Sequence, residues 1–208
     1  FGPKTSDVSF SAPKTQCQRM AFFYILSLAL VAGAAAQSCP NGLASSEVQS
    51  ILGAHNKLRS SISTGQYVAK GKRMPAAKTA IPALTWDCAL EKSAQNWANG
   101  CEFKHSSVKG QGENLFTMWS SQKLSFDGMG SKACASWEDE FQKFGWSDVK
   151  LTMAVFNSGI GHATQMAAAR STKIGCGMAS CQSGKQVLVV CQYKDAGNML
   201  NSNIYDAR

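Results

Sequence analysis

The chain has 208 residues and a formal net charge of +8, and 44% of its residues are hydrophobic. Its basic residues are dispersed, and the one close cluster, Lys70-Gly71-Lys72-Arg73 with Lys78, lies in a Gly/Pro/Ala-rich stretch without interleaved aromatic residues. This pattern is typical of a solvated loop and argues against a nucleic-acid-binding arm; contact with an anionic surface is a secondary interpretation. The sequence contains no internal repeat and no glycine-rich phosphate-binding loop.

The first 36 residues differ in character from the rest. Residues 1–19 lack a methionine start and a periodic apolar pattern, so we interpret them as a non-native or untranslated leader. Residues 20–36 form an apolar run that ends in Ala34-Ala35-Ala36, the arrangement of a secretory signal peptide and its cleavage site. A retained anchor helix is the weaker interpretation, because the run is shorter than the ~20 residues that a membrane span needs. We therefore expect a secreted, extracellular chain, residues 37–208, that forms one domain.

Cysteines are frequent after the signal segment. In an exported chain they predict disulfides rather than zinc ligands, and no C-x-x-C spacing is present. Their number is odd, so one thiol is either free or paired between chains. The seven residues are Cys39, Cys88, Cys101, Cys134, Cys176, Cys181 and Cys191.

Three helices are predicted in the first two thirds of the chain. The first begins at Ser45 with a capping box of Ser46 and Gln49, and carries an apolar stripe that includes His55, which we interpret as a hydrogen-bonded core residue. The second runs from an Asp87 cap to Asn99, with Gly100 as its left-handed stop, and the third from about Lys132 to Phe144 with Gly145 as its stop. Residues 63–83 between the first two helices are predicted to be a long loop.

Three strands are predicted near the end of the chain, at residues 165–169, 173–178 and 187–193. The third is the clearest, because Val187-Leu188-Val189-Val190 is a run of strong strand formers. Helices followed by a small antiparallel sheet predict an α+β layered domain.

Two histidines and two glutamates form the candidate site: His105, Glu113, Glu140 and His162. Glu140 shares its predicted helix face with Trp137, Phe141 and Phe144, and a carboxylate on an apolar face needs a partner. From the residues alone, a structural hydrogen-bond network is favoured and a divalent metal site is the next interpretation. A hydrolase is weakly supported, because no G-x-S-x-G motif occurs and neither Ser106 nor Cys134 has a positioned base.

Several ordered motifs resemble the CAP superfamily, which includes cysteine-rich secretory proteins, venom antigen 5 and plant pathogenesis-related 1 proteins. The Cys39 and His55 segments look most like the nematode venom allergen-like or activation-associated secreted branch. The motifs that carry the resemblance are His105-Ser106, Gly112-Glu113-Asn114-Leu115-Phe116, Trp137-x-x-Glu140, Gly161-His162-x-Thr164-Gln165-Met166 and Cys191-Gln192-Tyr193-x-x-x-Gly197-Asn198.

The resemblance implies a single CAP (SCP-like) domain over residues 37–208, folded as a three-layer α-β-α sandwich with a central cleft. It maps the family's cleft tetrad onto His105, Glu113, Glu140 and His162, which in relatives holds zinc or magnesium. It also implies disulfides Cys39–Cys88, Cys101–Cys176 and Cys181–Cys191, with Cys134 left over as a possible free thiol.

The chain departs from the family pattern at Ala163, at Met166-Ala167-Ala168 and at Asp195. The first two departures remove bulk that is expected beside the cleft, so we expect a wider cleft, a looser His162 and modest metal affinity. No cysteine follows Cys191 in this sequence, so the resemblance does not imply the ion-channel-blocking roles that depend on the cysteine-rich C-terminal extension of some relatives.

The leading hypothesis for function is a secreted, non-enzymatic effector that acts on a host or extracellular protein to modulate defence or immunity. The alternatives are a sterol or lipid carrier and a metal-dependent hydrolase that uses the tetrad. No nucleic-acid partner and no integral membrane segment are expected.

Overall fold

The computed structural model describes residues 39–208, so the predicted leader and signal peptide lie outside the described residues. Within this range no helix combines the length and the apolar character that a membrane span needs. The helices are α1 (Ser45–Ser63), α2 (Cys88–Ala98), α3 (Met129–Phe144), α4 (Met153–Phe156) and α5 (Gly161–Ala167). The strands are β1 (Val68–Ala69), β2 (Lys72–Arg73), β3 (Thr85–Trp86), β4 (Gln111–Trp119), β5 (Lys173–Cys181) and β6 (Gln186–Lys194).

The main sheet has four strands in the order β3-β5-β6-β4. The pairs β5–β6 and β6–β4 are antiparallel, and the short β3 runs parallel to β5. The strand predicted from the Val187 run is β6, at the centre of the sheet. The expected long loop contains a two-stranded hairpin, β1–β2, whose tip residues Lys70 and Gly71 have positive φ angles.

Side chains alternate across β6 and so supply both faces of the sheet. Leu188 and Val190 pack with Ala94 and Ala98 of α2 on one face, whereas Val189 and its odd-numbered neighbours pack against α1, α3 and α5 on the other. Helix α2 lies close to β5, which is possible because Gly175 has no side chain. A Cβ at this position would come within 2.1 Å of the Glu91 backbone nitrogen. Helices on both faces confirm the predicted α-β-α sandwich.

The predicted helix ends hold only in part. Asp87 caps α2 by accepting hydrogen bonds from the backbone N–H groups of Ala89 and Leu90, as expected. The capping box of α1 does not form, because the N-cap residue is Ala44 and Ser46 lies inside the helix. The neighbouring Glu47 is buried, and its carboxylate binds the backbone N–H groups of Gly128 and Gly130 at the start of α3.

Two further helix ends differ from the predictions. After α2 the left-handed residue is Cys101, with φ 54°, rather than Gly100. The third helix begins at Met129, three residues before the predicted start, because the left-handed Gly128 precedes it.

The strand predicted at residues 165–169 is wrong. Residues 161–167 form helix α5, in which Ala163, Met166 and Ala167 are fully buried. A short apolar run does not distinguish a buried strand from a buried helix, and its alanines favour the helix.

The three disulfides use the six predicted cysteines, but two pairings differ from those implied by the resemblance. Cys39 pairs with Cys88 as expected, whereas Cys101 pairs with Cys181, and Cys176 with Cys191. Alternation along β5 is the reason: Cys181 faces α2, which Cys101 follows, and Cys176 faces the opposite layer, directly across from Cys191 on β6. Cys134 is a buried free thiol.

Candidate functional site

His162 and Glu140 form the first of two histidine–glutamate pairs. Glu140 projects from α3, and its Oε1 accepts a hydrogen bond of 2.6 Å from His162 Nδ1, at the start of α5. Its Oε2 accepts the backbone N–H groups of His162 and Ala163 at 2.9 and 3.0 Å. This carboxylate therefore fixes both the imidazole and the backbone that carries it.

His105 and Glu113 form the second pair. His105 Nδ1 donates to Glu113 Oε1 at 3.0 Å, and the same oxygen accepts the Ser106 backbone N–H at 2.8 Å. Glu113 Oε2 accepts from Gln192 Nε2 at 2.9 Å. The His105 side chain is 63% exposed, compared with 33% for His162, so His105 is held less tightly than His162.

Electrostatics in the second pair follow from these contacts. The hydrogen bond to Glu113 raises the pKa of His105, against the opposing effect of burial. Burial alone would raise the pKa of Glu113, but hydrogen bonds from His105, Ser106 and Gln192 outweigh it and hold that pKa below its usual value. Glu113 is thus an anion at neutral pH.

Both pairs line one cavity of about 290 Å³, together with Asn114, Phe156, Gly159, Gly161 and Asn198. The structure thus brings together the four predicted site residues, although the chain separates them widely. A second cavity of about 380 Å³ adjoins the first and shares His105, Glu113, Phe156 and Asn198 with it. The cleft consequently has an ionic part and a more apolar part.

The pattern of hydrogen bonds separates the roles of the histidines and glutamates. Both glutamates already receive three donors each, whereas the Nε2 atom of each histidine makes no hydrogen bond within residues 39–208. A metal-binding histidine commonly donates its other ring N–H to a carboxylate, as both do here. The residues therefore fit a metal held by two Nε2 atoms, with Glu113 and Glu140 as orienting groups. That the two glutamates are themselves ligands stays a prediction.

The ligand atoms of the tetrad do not close into a compact set. Among the described residues, the group of three ligand atoms within 4.8 Å of one another belongs to Cys39, Cys88 and Glu91, and its two sulfurs are joined in a disulfide. No three ligand atoms of the tetrad therefore lie within that distance of one another.

A buried network supports His162 from behind. The Trp137 indole stacks on the His162 ring at a centroid distance of 6.2 Å and meets His55 edge-on at 6.4 Å. Asn114 Nδ2 donates to the His162 carbonyl and to the Tyr193 hydroxyl, which in turn lies 2.8 Å from His55 Nε2. His55 is thus a hydrogen-bonded core residue, and burial lowers its pKa to about 4.

Three alanines occupy positions at which the resemblance led us to expect effects on the cleft. Ala163, Ala167 and Ala168 are fully buried, and none of them lines the cavity. That their small size widens the cleft stays a prediction, whereas the contacts of Glu140, Trp137 and Asn114 hold His162 in place.

Four contributors to the site were not singled out from the sequence: Asn114, Gln192, Asn198 and Phe156. The first three lie within the family-like motifs, which was the available signal. Phe156 belongs to the short helix α4, where no sequence motif indicated a function.

The fold and the two histidine–glutamate pairs define a class of disulfide-bonded α-β-α protein with a polar cleft. The sequence model of the family "CAP: Cysteine-rich secretory protein family" matches residues 52–193, so the chain belongs to this family.

Relatives and solved structures agree with this assignment. Venom allergen 3 of Solenopsis invicta is 32% identical over 184 residues (80% of this chain, 75% of the relative), and Ancylostoma secreted protein of Ancylostoma caninum is 33% identical over 179 residues (81% and 41%). The structure of BmVAL-1 is 37% identical with a TM-score of 0.79, covering 83% of this chain and 88% of that one. The crystal structure of NaASP2 with Zn2+ is 36% identical in sequence with a TM-score of 0.76, and the match covers 83% of this chain and 91% of that one.

Proposed function

We propose that this CAP-family protein is a secreted, extracellular binding protein that holds a divalent metal in its cleft and acts on a host protein to modulate defence. The observation that carries the metal proposal is the pairing of each histidine Nδ1 with a carboxylate, which leaves the Nε2 atom of each ring without a hydrogen bond among residues 39–208. Zinc suits such a nitrogen set, and magnesium is the less suited ion because it prefers oxygen ligands.

The metal would supply positive charge at a site that otherwise carries two carboxylates. His105 and His162 would bind it, and Glu113 and Glu140 would keep both Nδ1 atoms protonated, so that each Nε2 presents a lone pair. NaASP2, a relative whose crystal structure contains Zn2+, supports this choice of ion. Secretion and an effector role are supported by relatives named as venom allergens and as a secreted protein.

The contacts of the available nucleophiles weigh against hydrolysis. Ser106 contacts Gln192 through its hydroxyl at 3.4 Å, and its backbone N–H binds Glu113. Cys134 is buried, and burial raises the pKa of its thiol far above the usual value. Neither group presents an activated nucleophile to the cavity.

A sterol or lipid carrier is the second candidate function. It is favoured by the 380 Å³ cavity, whose rim carries four exposed apolar side chains: Val108, Met153, Phe156 and Leu200. Extraction of lipid from the purified secreted protein, followed by mass spectrometry, tests this candidate directly.

Calorimetric titration with zinc tests the metal proposal. We expect one ion per chain, with binding lost in His105→Ala and in His162→Ala and retained in Asp139→Asn, whose side chain binds Lys143 instead. Affinity should fall at acid pH, because protons compete for the imidazoles. Absence of zinc uptake, or uptake unchanged in both histidine variants, would leave the tetrad as a structural network.

A further inference from the structure

The free edge of β4 differs from the rest of the sheet in its hydrogen bonding. Strand β4 is at one edge and pairs with β6 on one side only. The Ser120 backbone N–H donates to the Lys185 carbonyl at 2.9 Å, one position beyond the pair Trp119 and Gln186. Because residues of an antiparallel pair alternate between bonding to the partner and pointing away, the odd-numbered residues of β4 direct N–H and C=O outward.

Part of this outward edge is covered by α3. The Leu115 carbonyl accepts a hydrogen bond of 2.9 Å from Trp137 Nε1, as its outward direction requires. Toward the start of β4 the cover ends. Among residues 39–208, no hydrogen bond outside the strand pairing uses the backbone groups of Gln111 or Glu113. The side-chain Oε1 of Gln111 is also buried there without a donor.

The uncovered part of the edge opens into the cleft. Gln111, Gly112 and Glu113 all line the 380 Å³ cavity, and Glu113 also lines the tetrad cavity. The same cavity is lined by exposed apolar residues, among which Met153 is 53% exposed, Leu200 is 45% exposed and Phe156 is 40% exposed. An unpaired strand edge beside exposed apolar groups is a surface that proteins otherwise avoid, unless a partner covers it.

We propose that an extended segment of a partner protein adds to β4 at Gln111–Glu113 as an additional strand and inserts an apolar side chain between Met153, Phe156 and Leu200. Main-chain hydrogen bonds to Gln111 and Glu113 set the register, and the cavity selects the side chain, which is the usual division of roles in strand addition. A lipid cannot satisfy two outward N–H groups and two outward carbonyls at once. This docking goes beyond the proposed function and does not depend on a metal.

The test uses three synthetic threonine-containing peptides that differ only in the central residue, which is Ala, Leu or Phe. Both ends of each peptide are blocked, and a chelator is present. We expect the Leu and Phe peptides to bind at least about tenfold more tightly than the Ala peptide, because they bury an apolar side chain. Amide hydrogen exchange should slow at Gln111 and Glu113 on binding. Gly112 and Asn114 already bond to β6 and should change little.

Two comparisons separate strand addition from general apolar adhesion. Phe156→Ser should weaken the Phe peptide about tenfold or more, whereas Phe126→Ser, which removes an exposed aromatic outside the cleft, should not. N-methylation of the peptide amides that face β4 should abolish binding, and methylation of the alternate amides should preserve it.

Four results would overturn the proposal. The first is absence of binding by all three peptides at millimolar concentration, including the case in which a fatty acid fills the cavity instead. The second is peptide binding that does not slow amide hydrogen exchange at Gln111 and Glu113. The third is an equal loss of binding whichever set of peptide amides is N-methylated. The fourth is slower exchange at Gln111 and Glu113 as the protein concentration rises in the absence of peptide. That result would mean that a second copy of this chain covers the edge.

Discussion

Glu140 binds His162 through two different groups of the same residue, the ring Nδ1 at 2.6 Å and the backbone N–H at 2.9 Å. This double contact joins α3 to the first turn of α5 and orients the ring toward the cleft. Its loss should therefore affect metal binding, although Glu140 itself is not expected to touch the ion.

Glu140→Gln should weaken zinc binding about 10- to 100-fold, because the amide is a poorer acceptor and holds the imidazole less firmly. Calorimetric titration measures this, with Asp139→Asn on the same helix as the control. An affinity equal to that of the unaltered protein would show that Glu140 has no orienting role.

His55 should make the free energy of unfolding depend on pH. Its pKa is about 4 when folded, compared with 6.5 for the free side chain, so the unfolded state binds the proton more readily. The contribution is fully present above pH 6.5 and is lost as pH falls toward 4, to a total of about 3 kcal/mol.

Urea unfolding between pH 7 and pH 4 measures that loss. His55→Gln should flatten the slope, since the amide does not titrate. His105→Ala should not flatten the slope and should steepen it slightly, because the raised pKa of His105 has the opposite effect on stability: its contribution is present at low pH and is lost as pH rises through the folded pKa. Equal slopes for the protein and His55→Gln would contradict the assignment.

Arg59 should be important for stability although no carboxylate among residues 39–208 pairs with it. Its fully buried guanidinium donates to the carbonyls of Pro82, Met166 and Ser171 and so joins α1 to α5 and to two loop segments. Arg59→Ala leaves three acceptors without a donor, and we expect a loss of about 3 kcal/mol or more in chemical unfolding. The exposed Arg170→Ala should cost less than about 0.5 kcal/mol, and a similar cost for both variants would refute the prediction.

The two disulfides whose pairing differs from the expectation should also differ in their contribution to stability. Cys101–Cys181 spans 80 residues and Cys176–Cys191 spans 15, so the chain-entropy relation gives about 4.5 and about 3 kcal/mol. Replacing the first pair by alanine should thus lower the unfolding free energy by about 1.5 kcal/mol more than replacing the second. Non-reducing peptide mapping provides the check on connectivity, and recovery of a Cys101–Cys176 peptide would contradict the structure.

Cys134 should resist alkylation in the folded protein, because it is 1% exposed and burial raises the pKa of its thiol. Iodoacetamide should label it only after unfolding without reductant. Rapid labelling under native conditions, or a disulfide-linked dimer through Cys134, would show that the core opens at α3.

Local sequence signals determined a large part of this fold. Asp87 before an apolar-periodic segment predicts the α2 cap, and the Val187 run predicts β6, since both depend on interactions between neighbours in sequence. The four cleft residues were also identified, through two histidines, two glutamates and the motifs around them. Residues 165–169 were wrongly assigned to a strand because their apolar character reflects burial under either geometry.

Only the tertiary structure decided which residues meet across the chain. The side-chain alternation of β5 sends Cys181 and Cys176 to opposite faces, which fixes the disulfides, and Glu47 of α1 binds backbone N–H groups at the start of α3. Likewise, the sequence supplied two histidines and two glutamates without indicating which binds which. The pairs His105–Glu113 and His162–Glu140 arise from the packing of distant elements, and a single sequence records local preference but not the three-dimensional partner of each polar group.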